Sequence, residues 1–302
     1  MRAFFLLLSR LAWLRRWMET STLSQRVASR FVAGETLAKG LAVGRRINSE
    51  GIALTLDHLG ENVSSLAEAE ASRDVYLRTL NEIAENHIDG NVSLKLTQFG
   101  MDISEEACRA NVEQLLIRAK ELNSFVRVDM ESSGYTDRTI KLVEDLHKDH
   151  GAVGTVIQAY LHRSGKDVEA LCRLGIRVRL CKGAYLEPAE IAFQAKPDVD
   201  RNFVQLMRIL LATGTYPAIA THDEKIIRET KDFARSRRIG PESFEFQMLY
   251  GIRRDLQRRL VAEGYRLRLY VPFGKAWYPY FMRRLAERPA NVVFLARNLF
   301  RA

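Results

Sequence analysis

Cysteine and proline are scarce in this 302-residue chain, which carries three cysteines and seven prolines. Cys108, Cys172 and Cys181 are odd in number and fall at no metal-ligand spacing, which argues against a disulfide framework and for a reducing compartment. The six histidines form neither a His-Glu-x-x-His pair nor a Cys/His cluster, so no metal is expected. No Gly-x-Gly-x-x-Gly turn follows an early strand, which weighs against an open doubly wound sheet. Zinc-finger, RNA-binding and helix-zipper patterns are missing as well, and nucleic acid is not an expected partner.

The apolar start, residues 1 to 17, is broken by Arg10 well short of the ~20 residues that span a bilayer, and it has no small-residue cleavage site. It reads as an amphipathic helix of Arg, Trp and Leu. Packing on its own domain is the weightier reading, and lying in a membrane interface is the other. The net charge of +9 is scattered rather than gathered into one tract, and it suits an anionic surface or an anionic cofactor.

From residue 51 onward, short runs rich in Val, Ile, Leu and aromatics recur, each followed by a polar turn and a helical pattern. Eight strands are predicted: Gly51–Leu56, Val92–Leu96, Phe125–Met130, Thr155–Leu161, Val178–Cys181, Ala218–Thr221, Phe244–Leu249 and Leu267–Val271. Between them, Glu105–Leu122, Tyr135–His147, Arg201–Ala212 and Asp255–Glu263 carry apolar residues at helical spacing. Strands alternating with helices pair in parallel, and eight such units fit a closed α/β barrel. Residues 1–50 read as helices packed on a barrel domain of residues 51–302, with Ser21, Ser24 and Thr36 near helix starts.

The ends of these strands are chemically unusual: Asp57 and Glu61, Lys95, Asp129 and Glu131, Gln158 and Tyr160, Arg179 and Lys182, Thr221 and His222, Gln247 and Tyr250, and Tyr270. In a barrel they converge on one mouth, where barrel enzymes place their chemistry. After the eighth strand, Gly274 leads into an aromatic helix that bears Trp277, Arg283 and Arg284, placed to lie over that mouth. Paired guanidiniums beside aromatic rings suit a small substrate with a carboxylate and an apolar body. Lys95 adds a third cation and Asp129 an anion. In Lys182-Gly183-Ala184 the glycine lets backbone N–H groups approach a flat or phosphorylated ligand. Lys95 or Lys182 could instead form a Schiff base, as in barrel aldolases, and that alternative stays open from the residues alone.

Five motifs, in order, resemble the monofunctional proline dehydrogenase family over residues 50 to 300: Gln158-Ala159-Tyr160-Leu161, Arg179-Leu180-Cys181-Lys182-Gly183-Ala184-Tyr185, Ala220-Thr221-His222-Asp223, Phe246-Gln247-Met248-Leu249-Tyr250-Gly251 and the run from Tyr270 to Arg284. The resemblance implies a distorted (βα)8 TIM-like barrel that binds FAD and oxidises L-proline to Δ1-pyrroline-5-carboxylate, with a last helix over the mouth. It implies Lys95, Tyr270, Arg283 and Arg284 against the substrate, and Asp129 and Arg179 as catalytic residues, Asp129 steadying the Lys95 ammonium. Cofactor contacts are implied for Met130, Gln158, Arg179, Lys182, Gly183, Ala184, Thr221 and His222, and a gate for Glu61 with Arg284. Cys181 stands where relatives often have Val, and Asp223 where many have Asn, which argues against an FAD contact by the Asp223 side chain. A quinone as electron acceptor, peripheral contact with the inner face of the membrane from the cytoplasm, and a pyrroline-5-carboxylate dehydrogenase as partner complete what the resemblance suggests.

Overall fold

Eight short parallel strands close on one another in the computed structural model, which describes Met18, Ser21 and residues 28 to 287, with side chains as far as Met282. They are β1 (Ala53–His58), β2 (Gly90–Leu94), β3 (Val126–Val128), β4 (Val153–Gln158), β5 (Arg177–Cys181), β6 (Ala218–Ala220), β7 (Glu245–Leu249) and β8 (Leu267–Phe273). Each pairs with its sequence neighbour, and β8 closes on β1 with Thr55 opposite Tyr270. All eight predicted strands are present, with shifted ends. β1 starts later than predicted because Gly51, at φ +72°, belongs to the turn that ends the preceding helix. It also runs on through Asp57 and His58.

The helices between them are α2 (Leu66–Glu85), α3 (Glu105–Glu121), α4 (Thr136–His150), α5 (Ser164–Arg173), α6 (Lys196–Thr213), α7 (Glu224–Ser236) and α8 (Arg254–Ala262). A further helix, α1 (Leu37–Ser49), precedes β1, and α9 (Trp277–Glu287) follows β8. Thr36 caps α1, its side chain accepting from the Lys39 N–H. The apolar core is a ring between strands and helices, where Leu54, Leu56, Val92, Leu94, Val126 and Val178 meet Leu80, Leu115, Phe203 and Leu206. The other face of the strands points along the barrel axis and is polar on most of them: Thr55 and Asp57 of β1, Asn91 and Ser93 of β2, Arg127 of β3, Arg179 of β5, and Glu245 and Gln247 of β7 are all buried. Barrel interiors are usually filled by branched apolar residues, so this polar axis is a departure that marks function or specificity.

The outer position beside β8 and β1 is taken by α1, not by the helix that follows β8. Gly40 lies against Leu56 and Phe273, and Gly44 against Leu54, so the absent side chains let α1 sit close to both strands. Freed from that position, α9 covers the mouth. Its Trp277, Tyr278, Tyr280 and Phe281 form a second apolar cluster with Phe31, Val32, Leu59 and Ile252. The Phe31 and Phe281 rings meet at a tilt of 56°, their centres 5.9 Å apart.

Residues 28 to 34 act as a strap for this lid. The Ala33 N–H donates to the Pro272 carbonyl at 2.8 Å, and the Gly274 N–H to the Gly34 carbonyl at 2.9 Å. Gly274, at φ +122°, turns the chain into α9 directly over the His58 ring. Burial holds that imidazole below its ordinary value, with Lys95 adding to the effect and Asp57 opposing it, so a neutral ring supports the turn. Among the described residues, no helix is long and apolar enough to cross a membrane.

At Gly251 a methyl group would lie 1.7 Å from the Arg30 carbonyl oxygen, at a φ of +76°. Gly251→Ala should therefore destabilise the fold by about 1–3 kcal/mol, read as a fall of several degrees in Tm, and should free the strap to proteolysis. Gly165→Ala is the control, since nothing stands within 4 Å of that added methyl. Equal melting of the two variants would show that the strap does not rest on Gly251.

Candidate functional site

Alternation along β3 brings Asp129 to the mouth one step beyond Arg127, and the same spacing places Ser93 below Lys95 on β2 and Arg268 below Tyr270 on β8. The Asp129 carboxylate is the meeting point. Its Oδ1 accepts from the Ser93 hydroxyl at 2.5 Å and from Arg179 Nη1 at 2.8 Å, and its Oδ2 from the Tyr270 hydroxyl at 2.9 Å. The Arg179 guanidinium also lies over the Tyr270 ring, 5.4 Å from its centre. Burial, reinforced by the charges of Asp129 and Asp57, pushes the Tyr270 phenol well above its ordinary value, so it remains a neutral donor.

Below this point the polar axis continues. Arg179 Nε donates to Gln247 Oε1 at 2.5 Å, and Gln247 Nε2 donates to Glu245 Oε1 at 2.5 Å. Glu245 in turn pairs with Arg268 Nε at 3.0 Å, and Arg268 Nη1 donates to the Leu54 carbonyl. Arg127 Nη1 reaches the carbonyls of Thr155 and Arg177 at 3.0 and 2.6 Å. Gly154 makes room for it, since a methyl there would stand 2.9 Å from Nη1 and 2.3 Å from the Arg177 carbonyl oxygen.

Lys95 stands 3.4 Å from Asp57, whose Oδ1 also accepts from the Tyr76 hydroxyl at 3.2 Å. The expected steadying of Lys95 by Asp129 is thus taken up by Asp57, while Asp129 holds Arg179, Ser93 and Tyr270. Glu131 accepts from the Thr97 N–H and hydroxyl at 3.2 and 2.8 Å, and burial, partly offset by those bonds, raises its carboxyl. Gln158 Nε2 donates to the Glu131 carbonyl at 2.7 Å and reaches that of Met130 at 3.5 Å, fixing the chain after β3.

The ends of β4, β5 and β6 form a neighbouring shelf. Gly183, at φ +107°, brings its backbone over the Tyr160 ring so closely that a methyl would stand 2.3 Å from it, with Ala184 next in the chain. Lys182 donates to Asp200 at 2.5 Å and to Asp223 at 2.9 Å. Asp223 is also the N-cap of α7, its side chain accepting from the Lys225 N–H. His222 Nε2 accepts from the Leu249 N–H at 3.0 Å, which puts the proton of a neutral ring on Nδ1. Thr221 lies beside it, its hydroxyl accepting from the Asp223 N–H at 3.1 Å. A glycine shelf beside the Arg179 guanidinium, with His222 and a Lys182 held by two carboxylates at its border, suits a flat ligand.

Not every strand-end residue joins the mouth. The Tyr250 hydroxyl accepts from Arg46 Nη2 of α1 at 2.7 Å, so this ring faces outward, contrary to the expectation that strand ends converge. Glu61 sits half-buried on the loop after β1. Arg283 and Arg284 lie in α9, but their side chains fall outside the described residues, as does the sequence reading of residues 1–17 and Ser24. Ser93, Glu245 and Arg268 were not singled out from the sequence. Their signal is a period of two, Asn91-Ser93-Lys95, Glu245-Gln247 and Arg268-Tyr270, polar residues alternating within apolar strands.

A family model described as proline dehydrogenase matches residues 41–297. Proline dehydrogenase 2 of Bacillus subtilis is 40% identical over 298 residues, covering 99% of this chain and 98% of that protein. Proline dehydrogenase of Deinococcus radiodurans is 41% identical over 280 residues, covering 91% and 90%. Among solved structures, proline utilization A from Bdellovibrio bacteriovorus, inactivated by N-propargylglycine, superposes with a TM-score of 0.82 at 26% identity, over 87% of this chain and 32% of that longer one.

The ion pair at the base of the axis has a pH signature. Burial alone would raise the Glu245 carboxyl, but Arg268, the bond from Gln247 and the charge of Arg127 outweigh it and hold the group below its ordinary value. A carboxyl depressed in the fold contributes stability that is complete above its unfolded value of about 4.3 and is lost as pH falls through its lower folded value. Glu245→Gln should lower Tm at neutral pH, with a loss of about 3–5 kcal/mol for a buried pair deprived of one partner. The gap between the two proteins should narrow below about pH 4. A gap independent of pH would mean that Glu245 is not held as an anion.

Proposed function

The chain belongs to the proline dehydrogenase family, and from that premise we propose that the barrel mouth oxidises L-proline to Δ1-pyrroline-5-carboxylate with FAD bound across the ends of β4, β5 and β6. The residues present fit such a cofactor. Gly183 leaves no side chain between its backbone and a flat ligand, and Lys182, Ala184, Thr221, His222, Gln158 and the Met130 carbonyl surround the same shelf. When bound, FAD would supply the two-electron acceptor for a hydride leaving proline C5, while the ring nitrogen gives up its proton to solvent as the C=N bond forms.

The observation that carries this reading is the convergence of Ser93, Arg179 and Tyr270 on Asp129, beneath α9. Lys95, Arg283 and Arg284 would grip the proline carboxylate, and the Tyr270 ring would bound the pyrrolidine. Fixing the carboxylate on one side of a five-membered ring orients the opposite carbon, and such positioning supplies several kcal/mol, roughly 7–11 at its upper limit. Asp129 would act by holding Arg179 and Tyr270 in place, with Arg179 fixing positive charge where electron density gathers. Glu61 would close the mouth against Arg284. A quinone would take the electrons onward, a role consistent with a basic surface near an anionic membrane. The Schiff-base alternative at Lys95 or Lys182 falls with the family membership.

The protein reconstituted with FAD should be yellow, and L-proline should bleach it under anaerobic conditions. Arg283→Ala should raise the proline KM at least about ten-fold without loss of bound FAD, because it removes a charged carboxylate contact. A colourless protein, a spectrum indifferent to proline, or an unchanged KM would each count against the assignment it tests.

A further inference from the structure

The barrel axis below the mouth contains one neutral side chain between two charged pairs. Gln247 is buried, and its amide has no freedom of orientation: Oε1 accepts from Arg179 Nε, and Nε2 donates to Glu245. Turned over, the amide would set its N–H groups against the guanidinium and its oxygen against the carboxylate, losing both bonds. The Glu245 carboxylate is fixed from the other side by Arg268, which is tied to the β1 backbone at Leu54. A continuous line of donors and acceptors thus runs from the base of the barrel to the mouth, and it ends on the guanidinium.

We propose that Gln247, oriented by Glu245, is a positioning residue for Arg179, setting the rotation of the guanidinium so that one edge is spent inside the barrel and the other faces Asp129 and the reacting groups. The geometry is what a planar fork requires. Nε held from below and Nη1 held by Asp129 fix two points of one plane, and two points determine where the remaining N–H groups aim. Without Gln247 the remaining hydrogen bonds, to Asp129 and to the Ser93 hydroxyl at 3.3 Å, both fall on Nη1, and the guanidinium could swing about that one nitrogen. The polarity of the line also matters: a carboxylate at its base orders the amide, which presents its oxygen upward. Glu245 thereby acts on the mouth through one intervening amide, without touching substrate or cofactor.

The catalytic part of this inference rests on the function proposed above, whereas the positioning part does not, and two measurements separate them. The first is the Nε–H resonance of Arg179 in 15N-labelled protein, assigned by its loss in Arg179→Lys. In Gln247→Leu, of similar size but without polar atoms, this signal should move and exchange faster with water. In the double variant Glu245→Gln with Gln247→Glu, which exchanges amide and carboxylate but keeps an acceptor for Nε and the total charge, it should stay protected.

The second measurement compares kcat and KM for proline and the midpoint potential of the bound flavin. Gln247→Leu should lower kcat by about ten- to a hundred-fold, the scale of a small misplacement of a reacting group, with the proline KM changed less than about three-fold and a more negative potential. The exchanged pair should recover most of kcat. Leu115→Ala, a fully buried core residue on α3, is the control for lost stability alone and should lower Tm while leaving the potential unchanged. An Arg179 signal unaffected in Gln247→Leu would overturn the positioning role, as would a kcat no lower than that of the control. A perturbed signal in a protein that proline does not bleach would sustain the positioning and refute the assigned reaction.

Discussion

Everything at the mouth depends on keeping the Arg179 guanidinium buried, charged and pointed. Its side chain and that of Asp129 are about one-tenth exposed, so the pair meets little solvent screening and neither group can be left alone cheaply. The barrel satisfies this demand by giving over its axis to polar groups. Leu and most Val are kept for the outer faces of the strands, where they meet the helices, and the inner faces of β3, β5, β7 and β8 carry a relay of charge and amide. A conventional apolar interior would hold the strands together equally well, but it could not hold a guanidinium at the mouth.

The same constraint explains why the top of the barrel is closed by a helix of its own chain. Charged groups that act on a small zwitterion gain strength as water is excluded. The apolar cluster that seats α9 is separate from the main core and draws on the strap at residues 28–34, on Leu59 and on Ile252. The lid therefore rests on loops, and those loops are braced by Gly251 against Arg30 and by Gly274 over a neutral His58. Cover and floor meet at Tyr270, whose ring packs against the lid cluster while its hydroxyl donates to Asp129.

The fold was largely legible because alternation of short apolar strands and helices is a property of sequence order, and the strand that closes the barrel needs no special residue. The strand-end cluster was legible for the same reason. What was not legible was pairing. Asp57 and Asp129 are equivalent as letters, and only the register, which sets Ser93 beside Arg127 and Thr55 opposite Tyr270, decides which of them takes Lys95 and which takes Arg179. Glu245 and Arg268 drew no notice, because charged residues are seldom fully buried and nothing in their letters shows the pairing that makes it possible here. Tyr250 looked like a mouth residue because its position along β7 was clear, but its direction was not.

The placement of α1 bears on how the chain must fold. This helix leaves the ribosome before the first strand of the barrel, yet half of its seat, at Phe273, belongs to the eighth. The β1–β8 seam joins residues more than two hundred positions apart, so ring closure is the most non-local event in the molecule. Until it occurs, the glycine face of α1, the outer face of β1 and an open sheet edge all stand exposed together. A helix made before the first strand is fully seated only when the eighth has closed the ring.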